Sequence, residues 1–329
     1  MIVTRTPVRI PLGGGGTDLP SYASRHGGFL LSAAIDKYTF ITVNPRKLDR
    51  LIRASYSQTE TVDELDRLQH PLIREALRLV GVDGGIEIAS IADVPSGTGL
   101  ASSASFTIGL LHALHTLKRE SVPLVQLAEE ACHVELDVLK EPIGKHDQYI
   151  TALGGITCLE IDRDGGVMAS PAAIAPDVLE EFERNILLFY TGRSRSASAV
   201  LEGQASASER GEPDVIDRLH RIKAIGYEVK DALESGRLRR FGELMHEHWV
   251  TKRGLSERVS TTELDRWYAT ARDSGALGGK LLGAGGGGFF MFYCEHEAKP
   301  ALRDAMAREG LVEMRFRFDF EGSKVLANV

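Results

Sequence analysis

Pro95-Ser96-Gly97-Thr98-Gly99-Leu100-Ala101-Ser102-Ser103-Ala104 decides the reading of this chain. Before it, residues 86–91 are apolar and β-branched, and residues 100–117 are apolar on nearly every side. The order is strand, glycine loop, buried helix. Glycine lets backbone approach a ligand closely. Ser102 and Ser103 fall in the first helical turn, where unpaired N–H groups and the positive end of the helix dipole attract anions. Pro95, Gly97, Thr98, Gly99, Leu100, Ala101, Ser102 and Ser103 are thus candidates for cradling phosphates, and a serine hydroxyl there suits Mg²⁺ bridging them. Taken alone, the same loop also reads as a glycine turn with serine caps.

Downstream, a helix starting at Ser121 carries the apolar stripe Leu124, Ala128, Ala131 and Val138, and Pro142 and Gly144 stop it. Glu135 comes eleven residues after Leu124, within about 20° of the same helical direction. A carboxylate on an apolar stripe needs an ion pair or a metal, so Glu135 reads as a Mg²⁺ ligand or a buried salt bridge. Asp147 opens the segment Asp147-Gln148-Tyr149-Ile150 beyond that break. It suits a residue that accepts a hydroxyl proton or orients a nucleophile, or a helix cap.

Residues 2–10, 29–43 and 156–161 read as strands, and the Gly/Ala/Pro/Asp-rich stretch 162–176 marks a boundary between domains 1–175 and 176–329. In the second half, residues 186–190 and 289–294 read as buried strands, and 215–233, 238–250 and 263–274 as helices. Alternation of Met314, Phe316, Phe318 and Phe320 with charged residues predicts a strand over 313–320 with one wet face. The Ser/Ala/Arg-rich stretch 193–210 reads as a mobile loop.

The chain has 329 residues and 34 glycines, a surplus over an average of roughly 7%. Two clusters hold that surplus, residues 13–16 and 278–288. Gly283 to Gly288 satisfies G-x-G-x-x-G, but a strand follows it rather than the helix a dinucleotide fingerprint requires. A Walker A loop fails on spacing and on the missing Ser or Thr after Lys280. A net charge of −7 argues against nucleic acid or an anionic membrane surface as partner, and no signal peptide or membrane span is read. Three scattered cysteines, Cys132, Cys158 and Cys294, suit a reducing cytoplasm.

Three segments in order, residues 7–18, 95–104 and 280–288, resemble the motifs of the GHMP kinases, the superfamily of galactokinase, homoserine kinase, mevalonate kinase and phosphomevalonate kinase. Gly14 to Pro20, Asp147-Gln148-Tyr149, Tyr190-Thr191-Gly192 with Arg195, His248-Trp249 with Lys252, and Gly275 to Lys280 look most like the D-glycero-D-manno-heptose 7-phosphate kinases among them. The resemblance implies an α+β, two-domain fold, with an N-terminal domain like ribosomal protein S5 domain 2, a ferredoxin-like C-terminal domain, and the active site between them.

It also implies ATP and Mg²⁺ as cofactors. Ser103 and Glu135 would ligate the metal. Asp147 would be the catalytic aspartate, and Arg9 the basic residue that eases deprotonation of a sugar hydroxyl. Gly15, Gly16, Thr17 and Asp18 would form the sugar pocket, with Asp18 bonding sugar hydroxyls and Gly285, Gly286 and Gly287 closing over the substrate. Arg193, Arg195 and Lys252, with Arg253 and Lys280 as further candidates, would hold a distal phosphate. The implied reaction is transfer of the ATP γ-phosphoryl group to the anomeric hydroxyl of a heptose 7-phosphate. A fucokinase-like kinase of an unphosphorylated hexose and a catalytically silent ligand-binding regulator stay open as alternatives, as does a homodimer. Two departures stand out: Gly15 and Gly16 replace the Glu-His of galactokinases, and His146 stands before Asp147 where glutamine is expected.

Overall fold

The computed structural model describes residues 1–193, 198–256 and 258–329. β1 (Ile2–Gly13) and β2 (Gly28–Pro45) pair antiparallel along nearly their whole length, with the short helix α1 (Pro20–His26) in the connection. The far half of β2 pairs β5 (Ile86–Ala92), and its near half pairs β6 (Ile156–Ile161). β3 (Ile52–Ser55) and β4 (Thr59–Val62) extend the sheet beyond β5, and β7 (Val167–Pro171) extends it beyond β6. The final strand, β12 (Lys324–Asn328), returns from the second half of the chain to pair with β1. Both faces are covered over residues 6–13 of β1 and 28–35 of β2, which are buried without a break, while the other ends of the two strands alternate.

On one face lie α2 (Pro71–Val80), α3 (Ser102–Leu117), α4 (Leu124–Cys132) and α5 (His146–Leu153), joined to Ala34, Ile41 and Val43 of β2 in one core. α3 is buried at Ile108, Leu110, Leu111 and Leu114, as its all-round apolar sequence predicts. The other face, through Val8, Ile10, Leu12, Phe29 and Leu31, shares a core with the second half of the chain.

That half begins with α6 (Pro176–Asn185) and builds the sheet β11 (Val312–Met314), β8 (Ile186–Tyr190), β10 (Phe289–Cys294), β9 (Ala276–Leu281). α8 (Pro213–Glu234) and α9 (Leu238–Arg253) fill the space between the two sheets through Ile225, Val229, Phe241 and Met245. α10 (Thr262–Asp273) and α11 (Lys299–Arg308) pack on the outer side with Trp267 and Leu302.

Three expectations change. The helix expected from Ser121 begins at Leu124 and passes into a π-helical turn, His133–Val138. That wider turn rotates Val138 out to 44% exposure while keeping Val134 and Glu135 buried. The strand expected over 313–320 ends at Met314. Beyond it the chain crosses to the first sheet, meeting β2 at the isolated bridge Ile35–Phe318 and its flanking hydrogen bonds, and Phe320 is left exposed. Within the supposed loop 193–210, residues Ser198–Glu209 form helix α7. The third glycine segment is the turn of the β9–β10 hairpin.

Candidate active site

The loop between β5 and α3 approaches the β9–β10 turn backbone to backbone. A Cβ on Gly99 would lie 2.8 Å from the Leu282 carbonyl oxygen, and one on Gly283 would lie 2.6 Å from Gly99 Cα. Only glycine at both positions allows this contact, which closes one side of a cavity of about 500 Å³. Gly97, Gly99, Ala101, Ser102 and Ser103 line it. Ala101 enters α3 in the left-handed conformation at φ 66°, uncommon for a residue with a Cβ and the kind of local strain that clusters at ligand sites. Pro95, Thr98 and Leu100 do not line the cavity; they shape the loop. Thr98 Oγ1 donates to the Pro95 carbonyl at 2.9 Å, and the Leu100 carbonyl accepts from Arg9 N at 3.1 Å.

Ser103 Oγ donates to Glu135 Oε2 at 2.9 Å. Glu135 Oε1 is buried and has no hydrogen-bond partner among the described residues. Burial pushes this carboxyl up to about 7, outweighing the hydrogen bond from Ser103. A hydroxyl and a carboxylate oxygen side by side, one of them unsatisfied, at the N-terminus of a helix that opens onto the cavity, form a donor set fitted to a hard divalent cation that takes its remaining ligands from phosphate and water. The π turn brings Glu135 there, and such turns recur at functional sites.

Arg9 projects from β1 and is 3% exposed. Its Nη2 lies 2.7 Å from Asp147 Oδ1, its Nε donates to the same oxygen at 2.8 Å, and its Nη1 donates to the Gly99 carbonyl at 2.7 Å. The side chain thereby ties the carboxylate on α5 to the glycine loop. Burial raises the Asp147 carboxyl, but Arg9 and His146 together hold it well below the usual carboxylate range. It is ionised at any physiological pH.

His146 is the residue the sequence undervalues. Its Nδ1 lies 2.7 Å from Asp18 Oδ2 and its Nε2 lies 2.7 Å from Asp147 Oδ1. Asp18, 4% exposed, also accepts from Gly16 N at 3.2 Å. Gly144, expected as a helix stop, makes room for it: a Cβ there would sit 1.9 Å from Asp18 Oδ2. Gly15 and Gly16 line the cavity, and Gly15 faces open space. Thr17 does not; its hydroxyl donates to the Gly14 and Phe29 carbonyls and holds the turn.

The cationic candidates separate sharply. Arg193 pairs with Glu263 at 2.5 Å, and Arg253 with Asp265 at 2.7 Å, so neither lines the cavity as a free charge. Arg195 lies outside the described residues. Lys252 does line the cavity, as do Lys280 and His248 from the same end. Among the described residues, Lys252 Nζ donates to main-chain carbonyls alone, Leu281 at 3.1 Å and Gly283 at 2.5 Å. Lys280 Nζ donates to the Leu12 carbonyl at 3.2 Å and to His248 Nδ1 at 3.0 Å. With Lys280 as the donor, a neutral His248 carries its proton on Nε2, which is buried with no partner among the described residues. Burial pulls Lys252 down to about 7, with Arg9 adding to the effect, and Lys280 well below its ordinary value. A buried and a partly buried amine with no carboxylate partner among the described residues form a site that lacks its anion.

Gly285, Gly286 and Gly287 do not line the cavity; Gly283 and Ala284 do. The Gly286 N–H, expected to face substrate, donates instead to the Val259 carbonyl at 3.0 Å.

Residues 69–155 match the model of the GHMP kinases N terminal domain, and residues 229–311 that of GHMP kinases C terminal. D-glycero-alpha-D-manno-heptose 7-phosphate kinase of Campylobacter jejuni is 29% identical over 98% of each chain. Galactokinase of Pyrococcus furiosus is 27% identical, covering 96% of this chain and 95% of its own. A solved D-glycero-D-manno-heptose 1-phosphate kinase from Bacteroides thetaiotaomicron superposes with a TM-score of 0.82 over 100% of both chains at 22% identity, a likeness of fold. With the N-terminal match running through the loop, Glu135 and Asp147, and the C-terminal match through Lys252, Lys280 and the hairpin that closes the cavity, this chain belongs to the GHMP kinases.

Proposed function

We propose that this chain is an ATP-dependent kinase of a phosphorylated sugar, transferring the γ-phosphoryl group to the anomeric C1 hydroxyl of D-glycero-D-manno-heptose 7-phosphate to give the 1,7-bisphosphate. One observation carries the choice of a phosphorylated acceptor. Lys280, buried, and Lys252, partly buried, line the cavity that also holds Arg9 and Asp147, and neither meets a carboxylate among the described residues. A neutral sugar leaves that pair uncompensated, whereas a phosphate supplies the missing charge.

The glycine loop and the first turn of α3 receive the nucleotide phosphates. Ser103 and Glu135 would hold Mg²⁺, which when bound neutralises charge on those phosphates. Asp18 and Gly15–Gly16 hold the sugar, with its distal phosphate at Lys252, Lys280 and His248. The ionised Asp147 accepts a hydrogen bond from the C1 hydroxyl and orients its oxygen toward the γ-phosphorus. As the new P–O bond forms and the bond to the bridging oxygen of ADP breaks, the hydroxyl proton passes to Asp147. A carboxylate held this acidic is a weak base early in the reaction. It suits a loose transition state in which the proton moves late. Arg9 offsets the negative charge of Asp147 and of the developing alkoxide.

All three cysteines are buried thiols, which suits a reducing cytoplasm. Measuring ADP release against heptose 7-phosphate, fucose, galactose and mevalonate tests the assignment. Turnover confined to the heptose phosphate is expected. Preference for free fucose or galactose would overturn the acceptor, and nucleotide binding without turnover of any acceptor would favour a regulator.

A further inference from the structure

We propose that His146 is a positioning residue that ties the carboxylate contacting the sugar, Asp18, to the carboxylate receiving its proton, Asp147, so that the two hold one fixed relation. The inference rests on the roles just assigned to those two residues, and its geometry is independent of which sugar is the acceptor.

The ring sits between the two acids, one at each nitrogen, both at 2.7 Å. A neutral imidazole offers one donor and one acceptor, so it satisfies only one of two ionised carboxylates; the other contact would set a lone pair against an anionic oxygen. Both contacts are favourable only in the doubly protonated ring. Arg9 stands 3.1 Å from Nε2 and bonds the same Asp147 oxygen. Its Nε has donor geometry toward both Nε2 and that oxygen, and in the doubly protonated ring it yields the first contact and keeps the carboxylate. The charged groups that face His146 are thus Asp147 from its own helix, Asp18 from the turn after β1, and Arg9 from β1. Two cations and two anions alternate, and the cluster is neutral. Burial alone would lower the imidazole, but the two carboxylates outweigh it and raise it to about 9.

The backbone makes the tether short. His146 N also reaches Asp18 Oδ2, at 3.3 Å, and His146 and Asp147 are adjacent in the first turn of α5. A displacement of Asp18 by the sugar is therefore passed directly to Asp147, and a sugar that fits Asp18 finds the base already aimed. Glutamine at this position is uncharged and carries both its hydrogens on one nitrogen, so it cannot reproduce the two separated, charged donors of the ring.

The test compares wild type with His146→Gln and His146→Ala, reading kcat, KM for sugar and ATP, pH profile and thermal unfolding. In the wild type kcat falls on the alkaline side with an apparent pKa of about 9. In H146Q that limb is absent, kcat drops on the order of 10²-fold, KM for ATP stays near wild type, and the melting temperature is little changed. H146A loses more activity, and glutamine rescues part of it. An H146Q enzyme with wild-type kcat and an intact alkaline limb overturns the proposal, as does a loss of kcat that tracks a fall in melting temperature. A second measurement needs no substrate. ¹⁵N NMR of the ligand-free protein should show both ring nitrogens of His146 protonated at about pH 7.5, with Asp18→Asn lowering its pKa. A neutral ring there overturns the bridge even if the acceptor assignment stands, and a charged ring upholds it even if the acceptor is a different sugar.

Discussion

Ser103 and Glu135, 32 residues apart in the chain, meet through a 2.9 Å hydrogen bond that leaves Glu135 Oε1 buried with no hydrogen-bond partner among the described residues. If this pair holds Mg²⁺, Glu135→Gln keeps the packing and removes the charge. Turnover at limiting Mg²⁺ should fall by at least roughly 10²-fold, since a metal at transferring phosphate supplies several kcal/mol. The ligand-free variant should melt higher than wild type at neutral pH, because a buried, uncompensated carboxylate is costly to retain. Metal titrations with a coupled assay and calorimetric melting check both. An unchanged Mg²⁺ dependence would remove Glu135 from the metal.

Arg9 is expected to control the acid limb. The Asp147 carboxyl is lowered from an ordinary 3.8, so the stability it contributes is complete above about pH 4 and is lost only as pH falls below that. Arg9→Met removes one of the two cations that lower it, so acid unfolding followed by circular dichroism should move to higher pH. The acid limb of kcat/KM should move the same way. Turnover should drop roughly 10²- to 10³-fold from the lost charge stabilisation. Asp147→Asn should lower kcat by ~10² or more, and an unchanged rate would disprove its role.

Lys252 should take up a proton when the phosphorylated sugar binds. Its amine, at about 7 rather than 10.5, is mostly neutral at about pH 8 and regains its charge beside a phosphate. In the ligand-free chain the same shift makes stability rise with pH from about 7 to 10.5. Calorimetric binding in two buffers of different ionisation enthalpy reads the uptake, which Lys252→Met should abolish. That variant should raise KM for the sugar phosphate by roughly 10- to 100-fold and leave KM for ATP nearly unchanged. Equal effects on both substrates would exclude the phosphate role.

Gly144→Ala should impair the sugar site and spare the nucleotide site. Its Cβ would fall 1.9 Å from Asp18 Oδ2, and Asp18 cannot move without pulling on His146. The cost should be about 1–3 kcal/mol of stability, with a raised KM for sugar and an unaltered KM for ATP. Steady-state kinetics against each substrate decides it.

Much of the site was legible in the chain because local rules govern it. The glycine loop, the buried helix after it, and a glutamate on an apolar stripe follow from composition and period. The route to Glu135 was less direct than the period implied: a constant angle per residue cannot register the π turn that buries Glu135 and turns out Val138. Nor can alternation register a missing neighbour. Residues 313–320 alternate as a strand should, but past Met314 they leave the second sheet.

By itself the sequence marked the candidates for the chemistry: Ser103, Glu135 and Asp147 by residue type and local position, and Arg9 by its place in a segment that resembles a GHMP kinase motif. Tertiary structure alone decided which charges are free to act. Arg193 and Lys252 look alike as candidates, yet Arg193 meets Glu263 while Lys252 donates to two main-chain carbonyls. His146 looks incidental until folding sets Asp18, 128 residues away, against its second nitrogen. A charge is defined by what lies within a few ångströms of it, and those neighbours come from distant parts of the chain.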